Sequence, residues 1–239
     1  MSAGRLLLIA WHIGNALDTT VHAGLEVRRL RTLLVEDLED ARFQLRSALA
    51  EDADRKTLLR LPEKRDAAFL ERVLAALERE DVGLLSFGGA PAFVDPGSWV
   101  VAEIRRRGLA VKALAGASCL STMLSLSGLE WRQGGANSFT FILFIDDLKG
   151  AEKQEFETIA RRREAVFVLL QVAQLPRCLK RLRPLVGERP MTLFFDLTKP
   201  RDRYPLADQV RTLTCREWLG VLGALPWDRI SDVALMVAP

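Results

Sequence analysis

The sequence predicts an α/β protein made of two α/β domains with parallel or mixed sheets, and three observations predict it. Apolar runs such as residues 5–11 (RLLLIAW) and 139–145 (FTFILFI) are too continuous for half-exposed strands and fit strands buried on both faces. Segments with apolar residues at helical spacing alternate with such runs along the chain, the pattern of strands joined through helices. A strand, a turn of small residues and a helix also occur twice in succession, at 84–107 and 109–127. Each such turn brings backbone N–H groups within reach of a polar ligand.

The chain has 239 residues, long enough for one large domain or two small ones. Residues 130–138 (EWRQGGANS) form the most linker-like stretch, so the expected domains are 1–133 and 134–239. The apolar runs are far shorter than the roughly 20 residues of a membrane-spanning helix. Residues 6–10 are likewise too short for the core of a signal peptide and no cleavage site follows, which places the protein in the cytoplasm. Cys119, Cys178 and Cys215 are scattered and odd in number, and read as buried reduced thiols rather than a disulfide framework or zinc site. With His12 and His22 as its two histidines, a multi-histidine metal centre is not expected and no metal is assigned. A net charge of +3 is compatible with RNA or another phosphate-bearing partner without demanding one.

Taken in order, the first strand (5–11) ends in the turn residues His12-Ile13-Gly14-Asn15. Thr19 or Thr20 caps a helix running to about Leu30, with Val21, Leu25 and Leu30 expected inward. The strand 31–36 carries Glu36-Asp37 at its tip, where the helix 38–49 begins. Those acids form either a polar catalytic or substrate-binding corner or, for Asp37, a helix cap. A charged connection leads to the strand 56–61. The helix 65–80 follows, with Phe69, Leu70, Val73, Leu74 and Leu77 on one side. Residues 82–87 are a buried strand that stops at Gly88-Gly89-Ala90-Pro91, where small residues and a proline leave main chain open. A helix from Gly97-Ser98 to Arg107 stops at Gly108, and the strand 109–114 reaches a second small-residue turn, Ala115-Gly116-Ala117-Ser118, before the helix 119–127.

The second half opens on the strand 139–145, followed by a polar segment at 146–150 and a charged helix at 151–163 with Phe156 and Ile159 inward. The strand 165–170 leads to a basic helix over 174–183, with Pro176 in its first turn and Pro184 just past its end. Its Arg177, Lys180, Arg181 and Arg183 read as a solvated face, with phosphate contact the alternative, because no aromatic residues interleave with them. Strand 190–196, a polar turn over 196–204, an edge strand at 209–214, a helix at 215–222 and a last strand at 232–237 complete the chain. Trp131 and Trp218 are expected at an exposed apolar interface.

Read together, these motifs resemble the tetrapyrrole methylase superfamily, and within it the branch that methylates ribose 2′-hydroxyls of small-subunit ribosomal RNA. That branch has a T-P-I-G-N turn, here Trp11-His12-Ile13-Gly14-Asn15, an A-L-E-V helix, here Gly24-Leu25-Glu26-Val27, and an A-E-D-T-R strand end, here Val35-Glu36-Asp37-Leu38-Glu39. Its S-D-A-G-T-P and D-P-G elements correspond to Ser86-Phe87-Gly88-Gly89-Ala90-Pro91 and Asp95-Pro96-Gly97. Its P-G-P-S-A turn corresponds to Ala115-Gly116-Ala117-Ser118-Cys119, and its E-L-T-K to Asp196-Leu197-Thr198-Lys199.

The resemblance implies an S-adenosylmethionine-dependent methyltransferase and a homodimer, with the methyl donor in a cleft between two domains and no metal. Phe87, Gly88, Gly89, Ala90, Pro91 and Asp95 of one loop and Ala115, Gly116, Ala117 and Ser118 of the other would hold the donor. A methyl acceptor with a hydroxyl or amide needs a proton acceptor nearby, and Glu36, Asp37 and His12 are the candidates; Lys199 would orient an anionic substrate. The chain departs from the family at Phe87, which stands where the family carries an acid, at Leu38-Glu39, at Ala115 and Ala117, and near Gln171-Val172-Ala173-Gln174, where E-S-P-H-R is not recognisable. The branch it resembles and the mildly basic charge make RNA the first acceptor expected. The altered substrate-side motifs motivate the alternative, a tetrapyrrole, another small molecule or a peptide, and the lost acid at Phe87 and the missing second-half motif motivate the third, a catalytically impaired donor-binding protein.

Overall fold

The structure, a computed structural model, describes residues 3–130, 137–144 and 152–239. Two compact units divide the chain, residues 1–119 and 120–239. The boundary expected after residue 133, Trp131, and the polar segment 146–150 lie outside the described residues.

The first unit is an all-parallel five-stranded sheet. Strands β1 (Leu6–Ala10), β2 (Thr32–Val35), β3 (Thr57–Arg60), β4 (Val82–Ser86) and β5 (Val111–Leu114) lie in the order β3-β2-β4-β1-β5. Leu6 pairs with Val82 on one side and Val111 on the other, which sets the register. Helices α1 (Val21–Arg29) and α2 (Leu38–Leu49) bring Ala23, Val27, Ala41 and Leu45 against Leu7, Ile9, Leu33 and Val35 on one face. Helices α3 (Ala67–Leu77) and α4 (Ser98–Arg106) bring Val73, Leu77, Val100 and Ile104 against Leu6, Leu34, Val82 and Leu84 on the other. The alternation of side chains along each strand thus divides one continuous apolar run between two cores.

The connections position the site. After β1 the chain turns toward β2 and β3, whereas after β4 it crosses β1 to reach β5. The adjacent strands β1 and β4 therefore send their helices to opposite faces of the sheet, and a crevice opens at their carboxyl ends. At the amino end, Asp81 accepts hydrogen bonds from the Arg5 amide (2.7 Å), the Arg5 guanidinium (2.8 Å) and the Arg29 guanidinium (2.8 Å). These donors hold its carboxyl far below the usual carboxylate range, the Arg5 side chain contributing most.

The second unit contains α5 (Cys119–Leu126), β6 (Phe139–Phe144), α6 (Glu152–Arg161), β7 (Ala165–Leu170), α7 (Leu175–Val186), β8 (Pro190–Phe195), β9 (Gln209–Thr214), α8 (Cys215–Val221) and β10 (Val233–Val237). Its mixed sheet runs β6-β7-β10-β8-β9, with β6 and β7 parallel and the other neighbours antiparallel. Strand β9 lies at the edge, as its polar composition predicts. Leu175, Leu179 and Leu182 of α7 and Trp218 of α8 pack with Val166, Leu193 and Leu235 of the sheet.

Three expectations are corrected here. Val21 and Leu25 are 80% and 62% exposed, because the inward stripe of α1 is Ala23 and Val27, continued by Leu30. Trp218 is fully buried instead of exposed, its indole N–H donating to the Met191 carbonyl at 2.9 Å, which removes the cost of burying that polar edge. Pro184 lies inside α7, which continues to Val186 before Gly187 turns the chain at φ +59°. Buried Leu182 and Val186 on either side hold that turn helical despite the missing N–H.

The expected thiols take different environments. Cys178 and Cys215 are buried and Cys119 is partly exposed. The Cys215 thiol donates to the Leu179 carbonyl at 3.0 Å, and burial pushes its pKa up to about 11, so it stays an inert core thiol.

Candidate active site

Three loops meet over the carboxyl ends of β1, β4 and β5. Trp11 donates its amide to the Gly89 carbonyl at 3.2 Å, tying the β4 loop across the end of β1. Gly89 has φ +103°, and a Cβ there would stand 3.0 Å from Ile13 Cγ2 and 3.3 Å from the Ala117 carbonyl oxygen. A Cβ at Gly116 would stand 2.7 Å from Ala10 Cβ. Glycine at these two positions is what lets the loops after β1, β4 and β5 pack together. Gly88, Ala90, Ala115 and Gly116 are exposed on this surface. A Cβ at Gly88 would come no nearer than 4.0 Å to Ser86 Oγ, so main chain there is open to a ligand.

Phe87 does not face this opening as a polar anchor would. Its ring packs edge-on against Trp11 with centroids 5.9 Å apart, joining the core under α1 and α2. Pro91 and the positive-φ residue Ala92 (φ +59°) turn the chain back toward Asp95. Ala117 and Ser118 close the second loop and are partly buried.

The acids separate into two roles. Asp37 Oδ1 accepts the amides of Glu39 (2.8 Å) and Asp40 (2.9 Å), so it caps α2, and these bonds lower its pKa. Glu36, just past the end of β2, feels the charge of Asp95, which lies in the loop between β4 and α4. Glu36 is exposed at the surface, but partial desolvation raises its pKa and the negative charge of Asp95 raises it further, with Asp37 and Asp40 adding to the same direction. Burial also raises the pKa of Asp95, opposed by a hydrogen bond with the Ser86 side chain. Ser86 in turn accepts the Gly88 amide at 3.2 Å, linking this acid pair to the open loop. Ser86 belongs to the same motif as Phe87, but its role shows only in the fold, where β2 and β4 are neighbours.

His12 is placed elsewhere. Its imidazole is hydrogen-bonded with Gln44 of α2, has Asp18 and Asp40 as its charged neighbours, and lines a cavity between α1 and α2. Burial lowers its pKa, which keeps the ring neutral.

In the second unit, the loop after β8 is a built turn. Buried Asp196 (φ +43°) accepts the amides of Ser231 and Asp232 at 2.9 Å each on Oδ1, and Asp208 Oδ1 accepts the Thr198 amide at 2.6 Å. Lys199 donates to Ser231 Oγ at 2.8 Å, pairs with Asp232, and lies 5.0 Å from the Tyr204 ring centroid.

The model of the family described as Tetrapyrrole (Corrin/Porphyrin) Methylases matches residues 14–209. The chain belongs to the tetrapyrrole methylase family. It is thereby an S-adenosylmethionine-dependent methyltransferase. Among tetrapyrrole methylases it is similar to the ribosomal RNA small subunit methyltransferase I of Leptospira biflexa, 28% identical over 82% of this chain and 78% of the relative. The protein of the same name in Thermotoga maritima is 25% identical over 82% of this chain and 84% of its own. The fold matches solved structures of the family. One is cobalt precorrin-4 methyltransferase, with a TM-score of 0.64 at 10% identity, covering 98% of this chain and 94% of that one. Another is the uroporphyrin-III C-methyltransferase of Thermus thermophilus complexed with S-adenyl homocysteine, with a TM-score of 0.60 at 18% identity, covering 98% and 92%.

The residues present fit a bound methyl donor. The side-chain-free main chain at Gly88 and the close-packed glycines Gly89 and Gly116 form the kind of strand-end surface an adenosyl amino acid needs for near approach.

Proposed function

We propose that this tetrapyrrole methylase transfers a methyl group to a ribose 2′-hydroxyl of small-subunit ribosomal RNA. The observation that carries the ribosomal RNA acceptor is the pair of curated relatives named ribosomal RNA small subunit methyltransferase I, each matched over more than three quarters of its own length, and the ribose 2′-hydroxyl is carried from the family resemblance. Glu36 at the end of β2, under the charge of Asp95, supplies the proton acceptor. S-adenosylmethionine, when bound, supplies an electrophilic methyl group on a sulfonium.

The chain's own residues then have three tasks. Main chain of Gly88, Gly89, Ala90 and Pro91, with Ala115, Gly116, Ala117 and Ser118, holds the donor, and the Phe87 ring on Trp11 stiffens the loop from behind. Glu36 accepts the hydroxyl proton as the oxygen–carbon bond forms and the carbon–sulfur bond breaks. Its raised pKa makes it a stronger proton acceptor than an ordinary carboxylate. Asp95, fixed by Ser86, sustains that shift. Asp37 acts through α2, which it caps, and His12 lies with the α1–α2 cavity. Positioning of the acceptor oxygen accounts for much of the remaining acceleration.

The reading also takes the enzyme to work in the cytoplasm, as expected from the sequence, and as a homodimer, an expectation carried from the family resemblance. Among the described residues, no helix is long and apolar enough to cross a membrane. Incubation with methyl-labelled donor and separated cellular RNA, protein and small-molecule fractions tests the acceptor. Label in ribosomal RNA supports the proposal, and label confined to the small-molecule fraction moves the acceptor to a metabolite such as a tetrapyrrole. Absence of label together with donor binding leaves a non-catalytic donor-binding protein.

A further inference from the structure

The first sheet runs β3-β2-β4-β1-β5, so the segment after β3 stands beside Glu36 on the side away from the loops after β4, β1 and β5. That segment carries charge. Residues 60–66 read Arg-Leu-Pro-Glu-Lys-Arg-Asp, and Arg60, Lys64 and Arg65 are exposed. Arg60 is the register partner of Val35, and the Leu61 amide donates to the Val35 carbonyl at 2.8 Å, which sets Arg60 next to Glu36. Arg60 Nε donates to the Glu36 main-chain carbonyl at 3.3 Å, so the guanidinium is steered by a neutral acceptor rather than by a carboxylate. Among the described residues, none of these three cations forms an ion pair. Of the two acids in the segment, Asp66 is committed to capping α3, where it accepts the Phe69 amide at 3.0 Å, which leaves Glu63.

The surroundings of Glu36 are otherwise acidic, with the charges of Asp95, Asp37 and Asp40 all acting on it. RNA is a polyanion that such a corner repels. A ribose also brings its own negative charge, because the carbon bearing the 2′-hydroxyl adjoins the carbon that carries the 3′-phosphodiester. A site that places a ribose hydroxyl at Glu36 therefore has to hold a phosphate against these acids. We propose that the β3 edge is the docking surface for the phosphodiester backbone of the acceptor strand, with Arg60 on the phosphate beside the reacting ribose and Lys64 and Arg65 on phosphates further along. A guanidinium stays charged and matches two phosphate oxygens at once, whereas lysine acts as a point charge. The segment has no aromatic side chain on which a base could stack, so it grips the backbone and does not read sequence. Neighbouring strands lie about 4.8 Å apart, which sets Arg60, Glu36 and the open loop after β4 side by side across about 10 Å. Cation, proton acceptor and donor surface then follow one another in that order. The inference rests on the RNA reading and adds the edge over which the strand enters and the groups that hold it.

The test titrates the donor-free full chain with unmodified small-subunit ribosomal RNA at a series of potassium chloride concentrations. Arg60→Gln is expected to weaken binding about three- to tenfold and to reduce the slope of log affinity against log salt by about 0.7, the value for one single-strand phosphate contact. Lys64→Gln together with Arg65→Gln should reduce that slope by about 1.4. Arg60→Lys keeps the charge and should restore the slope. Arg79→Gln removes an exposed cation at the opposite end of the sheet, just ahead of β4, and should change neither affinity nor slope. Calorimetry with S-adenosylmethionine is expected to give every variant the wild-type donor affinity, which separates lost docking from lost fold. Wild-type RNA affinity and slope in Arg60→Gln, an equal change in Arg79→Gln, or no RNA binding by the wild-type chain overturns the inference. If ribosomal RNA is methylated while Arg60→Gln keeps the wild-type slope, the docking surface falls and the proposed function stands. If the slopes fall as expected but no label enters ribosomal RNA, the RNA-binding surface stands and the acceptor reading falls.

Discussion

At Gly89 the backbone takes φ +103° and a side chain would press on Ile13 and on the Ala117 carbonyl. Gly89→Ala is therefore expected to cost about 1–3 kcal/mol in stability and to weaken donor binding, read by thermal unfolding and by calorimetric titration with S-adenosylmethionine. In the proposed mechanism Glu36 is the proton acceptor of the chemical step. Glu36→Gln should lower kcat by about 10²–10⁴ with little change in donor affinity, the range for loss of a proton acceptor. Because its carboxylate form is the active one and its pKa is raised, wild-type activity should climb with pH through a range above that of an ordinary glutamate. Asp95→Asn removes a negative charge that raises this pKa, so the acid limb of the pH–rate profile should move to lower pH. The pairing of Glu36 with Asp95 was not legible in the sequence. The two acids stand far apart in the chain, and one feels the other because β2 and β4 are neighbours and the loop after β4 returns Asp95 to the Ser86 side chain. Asp37 was legible as a cap from its place before α2, and the structure takes that side of the ambiguity.

At the scale of elements, stability depends on a few anchors. Asp81→Asn should cost about 1.5–3 kcal/mol, since its carboxylate serves one backbone and two guanidinium donors. Its folded pKa is depressed, so this contribution is present at neutral pH and is lost as pH falls through the unfolded and then the folded pKa. Urea unfolding at neutral and acidic pH checks both the size and the sign. Trp218→Ala should cost about 3–5 kcal/mol by opening the core between α7, α8 and the sheet. The strands were readable because sheets covered on both faces need unbroken apolar runs. Helix faces were less so. In α1 the large residues Val21 and Leu25 drew attention from the smaller Ala23, which with Val27 packs on the sheet. For Trp218, a carbonyl from a strand distant in sequence decided that the indole could be buried.

At the scale of the molecule, a parallel five-stranded sheet with a reversal of connection between β1 and β4 supplies the crevice, and a mixed five-stranded sheet makes up the second unit. The small-residue turns announced where main chain would be exposed, because glycine and proline act locally. The cavity between α1 and α2 was invisible in the sequence, since it is a property of two helices and a turn brought together. The account stands most directly on one measurement. Small ribosomal subunits from cells lacking this protein are incubated with it and tritiated methyl donor, and the ribosomal RNA is digested to nucleosides. The account predicts tritium in a single 2′-O-methylated nucleoside with wild-type protein and a loss of about 10²–10⁴ in initial rate with Glu36→Gln. Tritium in a base-methylated nucleoside, in protein or nowhere, or a Glu36→Gln rate equal to wild type, would contradict it.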